Sequence, residues 1–212
     1  MLNRSLSLPP IMAITVDGLE LSHAQQAQEF VAGGIRWIQL RAKNKSHYDW
    51  VSIARDVVQI AHSRGAIVTI NDSVDVAIES DADGTHLGFN DGDWIDARNR
   101  LGNNRILGGT VHNAREAEIA SECQILDYVG IGPYRYTPTK KNLAPILGLE
   151  GITELLPLLG IVLAWGIGGI ELADLPKLRA TGLSGVAVSS ALLANGRPIH
   201  NSAKFVRAWS ES

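Results

Sequence analysis

Along this chain, short apolar runs alternate with longer stretches whose apolar residues recur at helical spacing. The short runs predict strands over Ile11–Val16, Ile35–Arg41, Ala66–Ile70, Gly84–Leu87, Arg105–Val111, Asp127–Gly132, Ile161–Gly166 and Gly185–Ser189. The longer stretches predict helices over His23–Ala32, Tyr48–Arg64, Val74–Glu79, Trp94–Leu101, Ala114–Glu122, Leu149–Leu158, Leu172–Ala180 and Ile199–Trp209. Helix start signals stand at Ser22, at Ser46 or Asp49, at Asp93, and at Asn113 with Glu116 following it. Strand–helix units repeating about every 25 residues predict a single-domain α/β protein, a (β/α)8 TIM barrel over residues 1–212. An open doubly wound sheet is the competing architecture, because local periodicity cannot count closure.

Composition narrows the class. With 212 residues, 45% of them hydrophobic and 19% charged, the balance is that of a soluble globular protein with a substantial core. A net charge of −3 excludes a broad nucleic-acid surface and makes any basic site local. Cys123 has no second cysteine to pair with, which fits a reducing compartment. Met1–Pro10 lacks a long apolar core and no membrane-length apolar run occurs, so a cytoplasmic protein without a membrane partner is expected. Symmetric dimers are the commonest soluble oligomers, which makes a homodimer the default assembly.

In a barrel, chemistry gathers where the strands end. The second strand ends in Gln39-Leu40-Arg41-Ala42-Lys43, and two-residue alternation puts Gln39, Arg41 and Lys43 on one side. Strands three and four run into Asn71-Asp72 and into Gly88-Phe89-Asn90-Asp91. Asp72 and Asp91 could together hold a hard divalent cation, Mg²⁺ being the natural choice, or each could cap the helix that follows. Strand five carries Gly108-Gly109-Thr110 and His112; the glycines would admit a ligand close to the backbone, and Thr110 offers a hydroxyl. His86 and His112 are acid–base candidates, though a lone histidine is more often structural. After strand six, Gly132-Pro133 opens a loop with Arg135, Thr137, Thr139, Lys140 and Lys141, hydroxyls and cations suited to a phosphorylated ligand. Gly168-Gly169 after strand seven and Ser189-Ser190 after strand eight are placed as a backbone cradle for phosphate. The tryptophans read as packing residues, with Trp165 beside the glycines a candidate pocket wall.

Taken together, Gln39-Leu40-Arg41-x-Lys43, Asn71-Asp72, His86-Leu87-Gly88-x-x-Asp91, Gly130-x-Gly132-Pro133, Thr137-Pro138-Thr139-Lys140 and Gly166-x-Gly168-Gly169 resemble the thiamine-phosphate synthase family and its TenI-type tautomerase relatives. The resemblance implies condensation of a hydroxymethylpyrimidine diphosphate with a thiazole phosphate, giving thiamine monophosphate and pyrophosphate by a dissociative route. It implies that Gln39, Arg41, Lys43, Asn71 and Lys140 hold the diphosphate substrate, with Arg41, Lys43 and Lys140 stabilising the departing charge. Mg²⁺ would sit on Asp72 and Asp91, and Thr110 would contact the pyrimidine. Thr137 and Thr139 would contact the thiazole partner, whose phosphate would lie on Gly168, Gly169, Ser189 and Ser190. Phe89, Ala42, Thr110 and Trp165 depart from residues common in the family. A thiazole tautomerase using His112 and a non-catalytic phosphate binder are the rival readings.

Overall fold

The computed structural model describes residues 7–137 and 144–211. Eight strands close a parallel barrel: β1 (Ile11–Ile14), β2 (Trp37–Leu40), β3 (Ile67–Asn71), β4 (Gly84–Leu87), β5 (Ile106–Val111), β6 (Tyr128–Ile131), β7 (Leu163–Ile167) and β8 (Gly185–Val188). Pairing of β1 with β8, Ile11 opposite Val186, excludes the open sheet. Around the strands lie α1 (His23–Ala32), α2 (His47–His62), α3 (Val74–Glu79), α4 (Trp94–Leu101), α5 (Ala114–Cys123), α6 (Gly148–Leu155), α7 (Leu175–Ala180), α8 (Ser190–Leu193) and α9 (Pro198–Glu211). Among the described residues, no helix is long and apolar enough to cross a membrane.

Local chemistry explains the element boundaries. Ser22, Ser46, Ser73, Asp93 and Asn113 each accept a backbone N–H from the first turn of the following helix. At α1 the cap is reciprocal, since Gln25 returns a side-chain bond to the Ser22 amide. β7 starts later than the apolar run suggests: Ile161 follows Gly160, whose φ of 58° turns the chain, and it is 94% exposed. The short helix α8 is new relative to the sequence pattern, which is too brief there to show a helical period.

Alternation sorts the strand residues into two packed shells. Ile38 and Leu40 of β2 join Phe30, Ala54 and Val57 in the shell between strands and helices. Met12, Trp37, Tyr128 and Trp165 fill the barrel itself. The three rings meet edge to face, with centroids 4.7 Å apart for Trp37–Tyr128, 5.1 Å for Trp37–Trp165 and 5.6 Å for Tyr128–Trp165. Trp165 therefore belongs to this plug, 1% exposed with its Nε1 donating to the Pro10 carbonyl at 3.1 Å, and it is not a pocket wall.

Gly108 and Gly109 also have packing reasons, contrary to the expectation that they admit a ligand. A Cβ on Gly108 would collide with the Tyr128 ring, and one on Gly109 would meet Leu126 and Trp94, each at 2.8 Å. Gly108→Ala should overpack the barrel and lower unfolding free energy by about 1–3 kcal/mol, measured by urea denaturation. If Gly108 instead served substrate approach, that variant would keep its stability and lose only substrate affinity.

Candidate active site

The C-terminal ends of the strands open into a cavity of about 780 Å³, to which every strand or the loop after it contributes. From β2 come Gln39, Arg41 and Lys43; from the next two units come Asn71, Asp72, His86 and Asp91. Thr110 and His112 follow β5, and Thr137 lies beyond β6. Gly168, Gly169, Ser189 and Ser190 complete the wall after β7 and β8. Residues drawn from positions 14 to 190 of the chain thus share one concavity. Thr139 and Lys140, expected here from sequence, lie outside the described residues.

Neither aspartate works as a helix cap. α3 is capped by Ser73 and α4 by Asp93, so that alternative for Asp72 and Asp91 falls away. Their carboxyl groups instead lie within hydrogen-bonding reach of each other. Burial, and then the Asp91 charge, push Asp72 up to about 6, against the opposing pull of Lys43 and Asn71. Asp91 Oδ2 is held by the Gly88 amide at 3.1 Å. Asp72 adopts a left-handed backbone, φ 59°, a conformation that aspartate tolerates better than most residues. Two facing carboxylates form a hard-oxygen donor pair that fits a divalent cation needing further oxygens from substrate and water. Among the described residues no cluster of three or more His, Cys, Asp or Glu offers a complete protein cage.

The cavity floor is a chain of polar groups rising from the aromatic plug. Trp37 Nε1 donates to Thr69 Oγ1 at 3.1 Å, and Gln39 Nε2 meets Met12 Sδ at 3.4 Å. The Tyr128 hydroxyl pairs with His86 Nδ1 at 2.9 Å. His86 Nε2 pairs in turn with Thr110 Oγ1 at 2.7 Å. Burial drives the Tyr128 pKa far upward, so the phenol stays neutral throughout. His86 is 6% exposed and both ring nitrogens are occupied, so here it orients Thr110. His112 Nδ1 pairs with Glu116 Oε2 at 2.9 Å, and the same oxygen accepts the His112 amide at 2.8 Å.

On the far side the glycines have a clear structural reason. Gly168 and Gly169 have φ values of 102° and 64°, a region unfavourable to residues with a side chain. The segment after β6 lies directly on them: a Cβ on Gly168 would sit 2.7 Å from that of Pro133, and one on Gly169 would strike Arg135. Ser189 Oγ is buried without a hydrogen-bond partner, an uncompensated polar group at the cavity wall. Arg135, grouped with the ligand-binding cations from sequence, has a different job. Its guanidinium grips Asp174 through two bonds of 2.8 Å and donates to the Gly169 carbonyl at 3.0 Å. It ties the loop after β6 to the loop after β7. Phe89 packs edge to face on Trp94 at 5.5 Å and does not line the cavity.

Asp17 is a wall residue that the strand-end argument passed over. It follows β1 much as Asp72 follows β3, and that correspondence was the available signal.

Residues 11–192 match the family described as thiamine monophosphate synthase. A thiamine-phosphate synthase of Bacteroides fragilis is 36% identical over 189 residues, covering 87% of this chain and 92% of that protein. One from Caldivirga maquilingensis is 36% identical over 206 residues, covering 95% and 97%. Among solved structures, a thiamine phosphate pyrophosphorylase from Pyrococcus furiosus superposes with a TM-score of 0.85 at 27% identity, covering 96% of both chains.

The raised Asp72 pKa has a definite sign in stability. Its folded value, about 6, exceeds the usual 3.8, so the folded state holds this proton more tightly than the unfolded state does. That contribution is complete below pH about 3.8 and is lost as pH rises through about 6. Asp72→Asn in metal-free protein should therefore be more stable than the parent at pH 7, by about 1 kcal/mol after solvent screening. The difference should vanish toward pH 4, as read by chemical denaturation at both pH values. A constant difference across that range would count against the paired-carboxylate geometry.

Proposed function

This chain belongs to the thiamine monophosphate synthase family, and from that premise we propose that it condenses 4-amino-2-methyl-5-hydroxymethylpyrimidine diphosphate with 4-methyl-5-(2-phosphoethyl)thiazole, yielding thiamine monophosphate and pyrophosphate. The enzyme is thus a transferase of a pyrimidinylmethyl group. The observation that carries the site assignment is the shared cavity, with cations and an acid pair on one arc and a glycine–serine wall on the other.

In this reading the bond between the pyrimidinylmethyl carbon and the diphosphate oxygen breaks first, and its electron pair leaves with the diphosphate. The thiazole nitrogen then supplies the pair for the new C–N bond. Arg41 and Lys43, joined by Lys140, meet the departing charge, which is where fixed cations act most strongly. Gln39 and Asn71 orient the same substrate. Mg²⁺ held by Asp72 and Asp91 would supply further neutralisation of the leaving diphosphate. Thr110, held by His86, faces the pyrimidine, while Thr137 and Thr139 position the thiazole. Backbone amides at Gly168, Gly169 and Ser190, with the unpartnered Ser189 hydroxyl, receive the second substrate's phosphate. The chain needs no nucleophile of its own, because the second substrate brings one. A tautomerase would need a proton shuttle such as His112 but would have no use for the acid pair.

Two measurements test this. Purified protein given both substrates and Mg²⁺ should release pyrophosphate and thiamine monophosphate in equal amounts, and chelation of divalent cations should stop release. Arg41→Ala should lower kcat/KM about 10²–10³-fold while leaving the melting temperature near the parent's. Isomerisation of a thiazole phosphate without pyrophosphate release would assign the chain to the tautomerases instead.

A further inference from the structure

We propose that His23 is a positioning residue for the diphosphate half of the site, clamping the backbone that carries Arg41 and Lys43. The inference rests on the reading that those two cations hold the diphosphate. His23 opens α1, is 8% exposed, and does not line the cavity, so it cannot act on substrate directly. Its ring nevertheless touches both side chains on which the cation loop hangs. Nδ1 lies 2.9 Å from Thr15 Oγ1 and Nε2 lies 3.2 Å from Asp17 Oδ1.

Those partners reach across to the neighbouring loop. The parallel ladder between β1 and β2 ends with the Thr15 amide on the Gln39 carbonyl, 3.0 Å. Beyond it, side chains take over as acceptors for alternate amides. Thr15 Oγ1 accepts the Arg41 N–H at 3.1 Å, and Asp17 Oδ2 accepts the Lys43 N–H at 2.9 Å. Residues two apart project their side chains the same way, so fixing these two amides fixes the direction of both cations.

A single tautomer closes the chain. Asp17 Oδ1 can only accept, so in the neutral ring Nε2 is the donor and Nδ1 is left to accept the Thr15 hydroxyl. The ring proton then lies on Nε2 and is donated to Asp17, leaving the second carboxylate oxygen for Lys43. Gln26, one turn along α1, holds the same loop from below. Its Oε1 accepts the Val16 N–H at 2.9 Å, and its Nε2 donates to the carbonyls of Val16 at 2.8 Å and Leu21 at 2.9 Å. The platform is therefore rigid, and His23 is the group that couples it to the loop bearing Arg41 and Lys43. Lys45 Nζ, 4.0 Å from Asp17 and partly exposed, adds little to that coupling.

The test separates positioning from general stability. Binding of inorganic pyrophosphate with Mg²⁺ is measured by calorimetry, together with KM for each substrate, in the parent, His23→Ala, His23→Gln, Thr15→Val and Arg41→Ala. Misdirected cations should weaken pyrophosphate binding and raise KM for the pyrimidine diphosphate about tenfold in His23→Ala and Thr15→Val, with KM for the thiazole phosphate unchanged. His23→Gln, whose amide can still donate to Asp17, should recover part of the loss. Where His23→Ala fails to fold, Thr15→Val carries the comparison. Parent-like pyrophosphate affinity in the folded variants, or equal damage to both KM values, overturns the clamp. Arg41→Ala keeps the two levels apart: if it binds pyrophosphate normally, the diphosphate reading falls and the clamp falls with it. If it alone loses affinity, only the clamp is wrong.

Discussion

Eight parallel strands closed on themselves leave an interior that every second side chain must fill, and the way this barrel fills it governs the rest of the molecule. Trp37, Tyr128 and Trp165 meet edge to face and occupy the space that smaller residues would leave open. Gly108 yields its Cβ so that the Tyr128 ring can lie against β5. The tryptophan and tyrosine also bring polar atoms into the interior, where an unpaired one costs about 1–3 kcal/mol. Pairing them generates the Trp37–Thr69 bond and the path from Tyr128 through His86 to Thr110. The cavity floor is thus the upper end of the plug's own hydrogen bonding.

The same directional constraint concentrates charge. Because all strands point one way, the loops after β2, β3 and β4 deliver Arg41, Lys43, Asp72 and Asp91 to neighbouring places on one rim. The aspartates press on each other electrostatically, and Asp72 holds a left-handed backbone besides. Neither feature serves helix capping, which Ser73 and Asp93 already provide. Unfavourable arrangements of this kind are found where binding rather than stability sets the geometry.

Much of this was legible before any coordinates. Period-two and period-3.6 patterns placed all eight strands, and three helices, α1, α3 and α4, begin and end at the expected residues. Alternation correctly faced Gln39 inward and Ile38 outward. What sequence could not resolve depended on partners far along the chain. Arg135 reads as a ligand cation until Asp174 is seen beside it, and Gly108 reads as an open approach until the Tyr128 ring fills that space. Trp165 next to a glycine turn gives no hint that its ring points below the cavity. Asp72 and Asp91 could each have been caps, a local question that only the neighbouring Ser73 and Asp93 decide.

Barrel order adds a constraint on the proposed reaction. The strands β2, β3 and β4 form one arc and β6, β7 and β8 the opposite one, with β1 and β5 between them. Among the described residues of the wall, Arg41, Lys43, Asp72 and Asp91 occupy the first arc, and Gly168, Gly169, Ser189 and Ser190 the second. Opposite walls can hold the leaving group and the incoming nucleophile around the reacting carbon without crowding either. The closed sheet supplies that opposition without any hinge. Thr110, on β5, then stands where a ring spanning the mouth would pass, and Asp17, after β1, stands on the other divide. Arg135 and Asp174 brace the second arc by joining two of its loops. In the proposed reaction, strand order would separate the β2–β4 contacts of the leaving group from the cradle for the incoming phosphate, Lys140, after β6 in sequence, being the one assignment that crosses that divide.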